Sequence, residues 1–292
     1  MISLLLPTVA QGLLWAVMAL GLYITFRVLD IADLSVEGSF PLGGAVAALL
    51  LTKGYNPLTA LAVAAFAGML AGVVTGFLHT KMKIPALLAG ILTMIALYSV
   101  NLRIMGKANL SLLGTEHTFS IMKRMLEMKA GPTTFIVGLV ACFIVACAMY
   151  WFFGTEIGTA IRATGFNQQM IRAQGINTNI TIVMGLAISN ALVAVSGALV
   201  AQSNGFADVG MGVGIIVIGL ASVIIGEVLF GTRSFKNCLI SVVLGSIVYR
   251  IVVATVLAMG MPPNDLKLFT SVLVAIALAM PLIKGKLGKA VR

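Results

Sequence analysis

Apolar runs, most of them interrupted by a glycine or a lone polar residue, fill most of the 292 residues, and the connections between them are mostly short. A bilayer core about 30 Å thick takes about 20 helical residues to cross. On that length the pattern predicts nine spans, near 3–26, 38–52, 58–78, 86–105, 132–153, 179–201, 212–230, 237–258 and 267–283. The fold class is therefore an all-α polytopic membrane protein, with residues 1–292 forming one domain and the two termini on opposite sides.

Composition agrees with the pattern. Charged residues make up 10% of the chain and hydrophobic residues 60%, whereas soluble domains are about one quarter charged. Cys142, Cys147 and Cys238 lie in apolar runs without close Cys or His partners, so they are packing residues and no metal site is expected. No positive stretch precedes the first apolar segment and no clean cleavage site follows it, so that segment is expected to stay as a span. The net charge of +10 sits mainly at the ends of apolar runs. That placement favours a membrane flank over a nucleic-acid-binding face.

Lys284, Lys286, Lys289 and Arg292 mark the carboxyl tail as cytoplasmic, which puts the amino terminus outside. Lys81, Lys83, Arg162, Arg172, Arg233 and Lys236 then fall inside as well. The segment 106–131 falls outside although it carries Lys107, Lys123, Arg124 and Lys129. In it, Phe119, Met122, Met125, Leu126 and Met128 interleave with charges at roughly helical spacing, as in a stretch lying along a membrane surface. Contact with a partner protein is the second reading.

The second span is short. Its start, Asp33 to Pro41, combines acids, cap formers, glycine and proline, so Ser39 is expected to cap a helix with Pro41 in its first turn. A start recessed into the membrane must line a cavity or be buried in protein, which makes this a broken span. Phe206-Ala207-Asp208-Val209 echoes Ile31-Ala32-Asp33-Leu34. The two copies have the parity of an inverted repeat, although coincidence accounts for the echo equally well. Gly212, Gly219 and Gly226 recur every seven residues, where a neighbouring helix can approach closely or a solute can pass.

An ion at the bilayer centre costs about 2.5–3.5 kcal/mol, so each one needs a reason. Glu227, near the cytoplasmic end of span seven, and Arg250, toward the outer end of span eight, stand out, at depths that require different partners. Arg103 and Arg250 have similar depth, and either can receive a carboxylate through its planar fork of donors. The competing account has Arg250 snorkelling outward or meeting Asp208 or Asp265. Asn101, Asn190 and Ser196 are expected to bond between helices, with pathway lining as the second reading. Glu37 and Glu227 are gate candidates. The chain has no G-x-x-x-x-G-K-[ST] loop to cradle nucleotide, and His79 and His117, in predicted loops, have no nucleophile beside them, so no catalytic residue is assigned.

Gly158-Thr159-Ala160-Ile161-Arg162-Ala163-Thr164-Gly165-Phe166-Asn167, followed by Ala173-Gln174-Gly175-Ile176-Asn177, is the most specific motif present. It resembles the cytoplasmic coupling segment of ABC-importer permeases of the branched-chain amino acid and ribose type. Asp33-Leu34-Ser35-Val36 is similar to the D-L-S-V-G element of the ribose-type members, with Glu37 inserted before Gly38. His79-Thr80-Lys81-Met82-Lys83, Leu88 to Met94 and Asn101 to Gly106 resemble the tryptophan/tyrosine transport permeases still more closely.

The resemblance implies a permease subunit for a small organic solute, an amino acid, with aromatic ones included, multi-pass in a bacterial inner membrane. It implies coupling through 154–178, with Gly158, Arg162, Ala163, Gly165, Arg172 and Gly175 as its elements and the glycines as its turns. Two separate ATPase subunits would hold ATP and Mg, leaving no cofactor in this chain. An external binding protein and a second permease copy complete the expected partners. An ion-coupled secondary transporter is the rival reading.

Overall fold

A computed structural model describes residues 2–127, 130–260, 262, 265, 268–272 and 275. Helix α1 (Ile2–Tyr23) ends in a π turn (Ile24–Val28), and an extended stretch leads to α2 (Val36–Thr52), α3 (Pro57–Thr80) and α4 (Ala86–Met105). Strand β1 (Asn109–Ser111) and α5 (Thr118–Leu126) precede α6 (Ala130–Phe152) and the short helices α7 (Glu156–Phe166) and α8 (Gln168–Ala173). Helix α9 (Thr178–Asn204) leads to β2 (Phe206–Asp208) and a 3-10 turn (Val209–Gly212), followed by α10 (Ile215–Phe230) and α11 (Phe235–Ala258).

Seven helical stretches among the described residues are long and apolar enough to cross a bilayer, and α2 is a shorter apolar helix. The described residues therefore do not confirm the predicted count of nine. The ninth span, 267–283, lies largely outside the described residues. The second span is also not broken within itself, since α2 runs unbroken for 17 residues with Pro41 inside it. The irregular backbone is the approach to it, residues 29–35. Ser35 is the N-cap residue, not Ser39, because the Asp33 carboxylate takes the Ser35 N–H and turns the chain one helical turn earlier.

Helix α9 is the axis on which the others are laid. Helices α1 and α3 run antiparallel to it and α2 runs parallel, as the contacts Gln11–Ser203 and Ser189–Gly21 on α1 and those of Gly43 and Gly68 with Ala194 require. Small residues permit this closeness. A side chain at Gly43 would strike the Ala194 carbonyl, and one at Gly72 the Leu186 carbonyl. The glycine series of span seven divides differently from its sequence spacing. Gly212 lies in the 3-10 turn against Glu37, Gly219 faces Met18 and Leu22 of α1, and Gly226 faces Ser241 of α11. No single partner helix runs along that series.

Two features at the α9 carboxyl end depart from the predicted pattern. β1 and β2 form an antiparallel pair with Leu110 opposite Ala207, a small exception to an all-α fold. The 106–131 segment is part strand and part helix, and its Phe119 is buried against the bundle while Met125 is exposed. His79 lies in the last turn of α3 and not in a loop, with Nδ1 2.9 Å from the Ile84 carbonyl.

Replacing Gly43 with leucine forces α2 off α9, because the obstacle is backbone. Overpacking of this kind costs about 1–3 kcal/mol or more. Gly43→Leu is expected to lower the melting temperature or abolish the monodisperse peak in detergent, whereas Gly131→Ala, whose added methyl meets nothing closer than 4.0 Å, leaves both unchanged.

Candidate functional site

The approach to α2 climbs from Val28 and Leu29, beside α7, to the middle of α9. Backbone at that depth must find partners within the protein. Asp33 supplies them: Oδ1 accepts the Ser35 N–H at 2.8 Å and the Ser35 hydroxyl at 2.5 Å, while Oδ2 accepts the Asn190 amide at 2.8 Å. Asn190 donates as well to the Leu186 carbonyl, and its oxygen accepts the Ser39 hydroxyl at 2.6 Å and that of Ser35 at 3.2 Å. Asp33 is 1% exposed and Asn190 0%. A carboxylate at a helix start also faces the positive end of the helix dipole. Asp33 is an intramembrane acid that span prediction passed over, because it lies in the stretch read as a connection. The signal for it was Asn190, an amide in mid-span that needed a partner.

Helix α10 also begins in the interior. It runs toward the α7 end while α2 runs toward the β1–β2 end, so two helix starts meet midway. Glu37 stands between them. Its Oε1 accepts the Gly214 N–H at 3.1 Å, its carboxylate takes a further backbone bond from Ile216, and its carbonyl lies against Gly212. The two echoed segments share a local device as well: Asp208 accepts the Gly210 N–H at 2.7 Å, as Asp33 accepts that of Ser35.

Beside this junction α4 leaves a cavity of about 520 Å³, lined by Glu37, Pro41, Met94, Tyr98, Asn101 and Val213 among others. Asn101 is 1% exposed, and its Nδ2 donates to the Gly38 carbonyl at 3.2 Å. Its Oδ1 has no partner.

A second site lies at the α7 end. Arg27 and Glu227 form an ion pair, so Glu227 does have a partner distinct from Arg250, one supplied by the π turn after α1 from 200 positions away. Helix α7 is held tightly. Ile161 is fully buried, Thr164 shares a 2.8 Å hydroxyl bond with Thr181 of α9, and Gly165 packs on the Val28 carbonyl. Gly158 packs in the same way on Phe152 and Phe153. Gly158 and Gly165 are therefore contact points inside α7 and not turns, a correction to the sequence expectation; Gly175, with φ of +83°, is a turn. Ala163 ends the helix by accepting the Asn167 N–H at 3.0 Å. Arg162 lies 4.8 Å over the Phe235 ring, and Arg172 donates through Nε to Thr178 at 2.7 Å. Phe166 projects from the tip, 90% exposed.

The remaining candidates are scattered. Ser196 is buried and bonds the Leu14 carbonyl at 2.8 Å. Arg250 lies 4.3 Å over the Trp15 ring, while Arg103 is exposed on α4. Helix α11 packs on α1, α10 and α6, and α4 on α2 and α3, so the two arginines do not share a site. His117, at the start of α5, is half-buried, and burial holds its imidazole below the ordinary range and neutral at pH 7. Among the described residues no cluster of His, Cys, Asp or Glu is arranged to hold a metal.

Removing the Asp33 acceptor strands the donors of Ser35 and Asn190 in the interior, at about 1–3 kcal/mol for each stranded group. Asp33→Ala is expected to lower the melting temperature of the detergent-extracted chain substantially, and Asp33→Asn, which keeps an acceptor oxygen, to lower it less. Equal melting of both variants and the parent removes the structural role of this carboxylate.

Comparison with known proteins follows the same lines. The family described as the branched-chain amino acid transport system / permease component matches residues 4–288. A tyrosine transport system permease protein of Clostridioides difficile (strain R20291) is 40% identical over 275 residues, covering 94% of this chain and 90% of that protein. A ribose import permease of Escherichia coli (strain K12) is 31% identical over 166 residues, 56% of this chain and 50% of the other. Two solved structures share the fold. One is an inward-facing conformation of an ABC transporter assigned to the metal-chelate type, at TM-score 0.51 and 12% identity over 96% of this chain and 85% of that one. The other is PsaBC from Streptococcus pneumoniae in complex with Fab, at TM-score 0.52 and 14% identity over 94% and 89%. Interior-starting helices, a tightly seated α7 and a family match over nearly the whole length lead to one conclusion: this chain belongs to the branched-chain amino acid transport permease family and is an ABC-transporter permease, multi-pass in the bacterial inner membrane.

Proposed function

We propose that this chain, as the membrane-spanning subunit of an ABC importer, carries an amino acid, aromatic amino acids included, and works as one of two copies. The observation that carries the reading is α7: a short helix seated on the core through Ile161, Thr164 and Gly165, with Phe166 left in the open. A lever must be stiff and exposed at once. The α7–α8 end is then cytoplasmic, and separate ATPase subunits that bind ATP and Mg grip Phe166 and its neighbours. Movement of α7 reaches Val28 and Leu29, and through them the approach to α2. The ion pair of Arg27 and Glu227 joins the π turn after α1 to α10 at the same end and acts as part of the cytoplasmic gate. The name of the Clostridioides difficile relative supports the aromatic solute. Delivery by an external binding protein to the opposite end completes the cycle.

A buried carboxylate, Asp33, is what favours the rival, an ion-coupled secondary transporter. Uptake into proteoliposomes separates the two. With its ATPase and binding protein the chain is expected to accumulate labelled tyrosine only when ATP is present inside. Phe166→Asp is expected to lower that uptake at least about tenfold without changing the melting temperature of the permease. Full uptake driven by an ion gradient with no ATPase overturns the proposal, and unchanged uptake by Glu227→Gln removes the gate.

A further inference from the structure

We propose that the cavity between the start of α2 and α4 is a solute subsite that receives the ammonium group of an amino acid. The inference rests on the amino-acid reading above and assigns the recognising atoms. Its first support is Asn101. The amide orientation is fixed by the Gly38 carbonyl, which needs Nδ2 as a donor and leaves Oδ1 pointing elsewhere. That buried oxygen has no partner in the protein, a state native interiors rarely leave without a ligand or ordered water to explain it. What it lacks is a donor.

Glu37 is the second support. Its carboxylate is partly spent on the Gly214 N–H and the backbone of Ile216, yet it lines the same cavity and keeps acceptor capacity. The lining thus holds the Glu37 carboxylate and Asn101 beside the hydroxyls of Tyr98 and Ser99, which can donate or accept, and it contains no lysine or arginine. A carboxylate or phosphate finds no cation there. An ammonium group finds Glu37 and Asn101, in a charge-assisted arrangement.

The remaining wall selects the body of the solute. Met94, Ile95 and Val213 are apolar, and Tyr98 adds an aromatic ring. About 520 Å³ lies within the range of small-molecule sites, with room for an aromatic amino acid. A lipid acyl chain would fill the apolar part but bring no donor to Asn101. Arg103, two positions from Asn101 on α4, is outside the lining, so the site reads the amino end and not the carboxylate.

The test uses the permease with its ATPase in nanodiscs for binding, and the same complex with its binding protein in proteoliposomes for uptake. Tritiated tyrosine is bound in nanodiscs without the binding protein and displaced by tyramine, which keeps the ammonium group, or by 3-(4-hydroxyphenyl)propionate, which keeps the carboxylate. Tyramine is expected to displace at about tenfold lower concentration or better. Glu37→Gln, which retains an oxygen for Gly214, is expected to bring the two competitors to parity. Ile95→Trp, at an exposed position on the rim, is expected to reduce binding at least about tenfold with unchanged melting. Displacement by the acid as readily as by the amine, parent-like binding by Ile95→Trp, or no saturable binding overturns the site if the parent complex still takes up tyrosine. If the parent complex takes up no amino acid at all, the importer's substrate assignment fails and the subsite falls with it.

Discussion

The seating of α2 depends on how one stretch of irregular backbone is tied to the middle of α9. An extended stretch joins the π turn to α2, and the Asp33 carboxylate ties its end to Ser35 and to Asn190 of α9. Through Ser35 it fixes where α2 begins, and through Asn190 it ties that beginning to α9. With the start of α2 set, Gly43 falls opposite Ala194 and Gly38 opposite Met94 and Leu97, so the packing of α2 on α9 and α4 follows from one anchored point.

The anchored start creates a contrast between two asparagines. Asn190 and Asn101 are equally buried, each near a helix start or its first turn. Asn190 has both ends of its amide engaged, and its surroundings are closed. Asn101 has one end engaged and opens on a cavity. The first holds the fold and the second is left for a visitor. Glu37 stands between these roles, since one oxygen steadies the start of α10 while the side chain also borders the cavity.

How much of this was legible in the sequence depended on distance along the chain. Apolar length located the spans because crossing a bilayer is a local property, and most of the predicted spans coincide with helices to within a few residues. The sequence shows Asp33 as an acid at a helix start but not its bond to α9, because its partner Asn190 is 157 positions away. Arg27 escaped for the same reason, with Glu227 200 positions distant. The glycines of the coupling motif were read as turns, since glycine spacing does not distinguish a bend from a contact. Only the backbone they face, Phe152 for Gly158 and Val28 for Gly165, tells the two apart. The β1–β2 pair left no signal because three-residue strands are too short to show alternation.

Phe166 has a cost that falls outside the transport cycle. A phenylalanine 90% exposed on a rigid tip offers any unassembled copy as bait for aggregation and for the cell's surveillance proteases. If ATPase subunits grip Phe166 as proposed, assembly covers that ring, and a copy left without them keeps it bare.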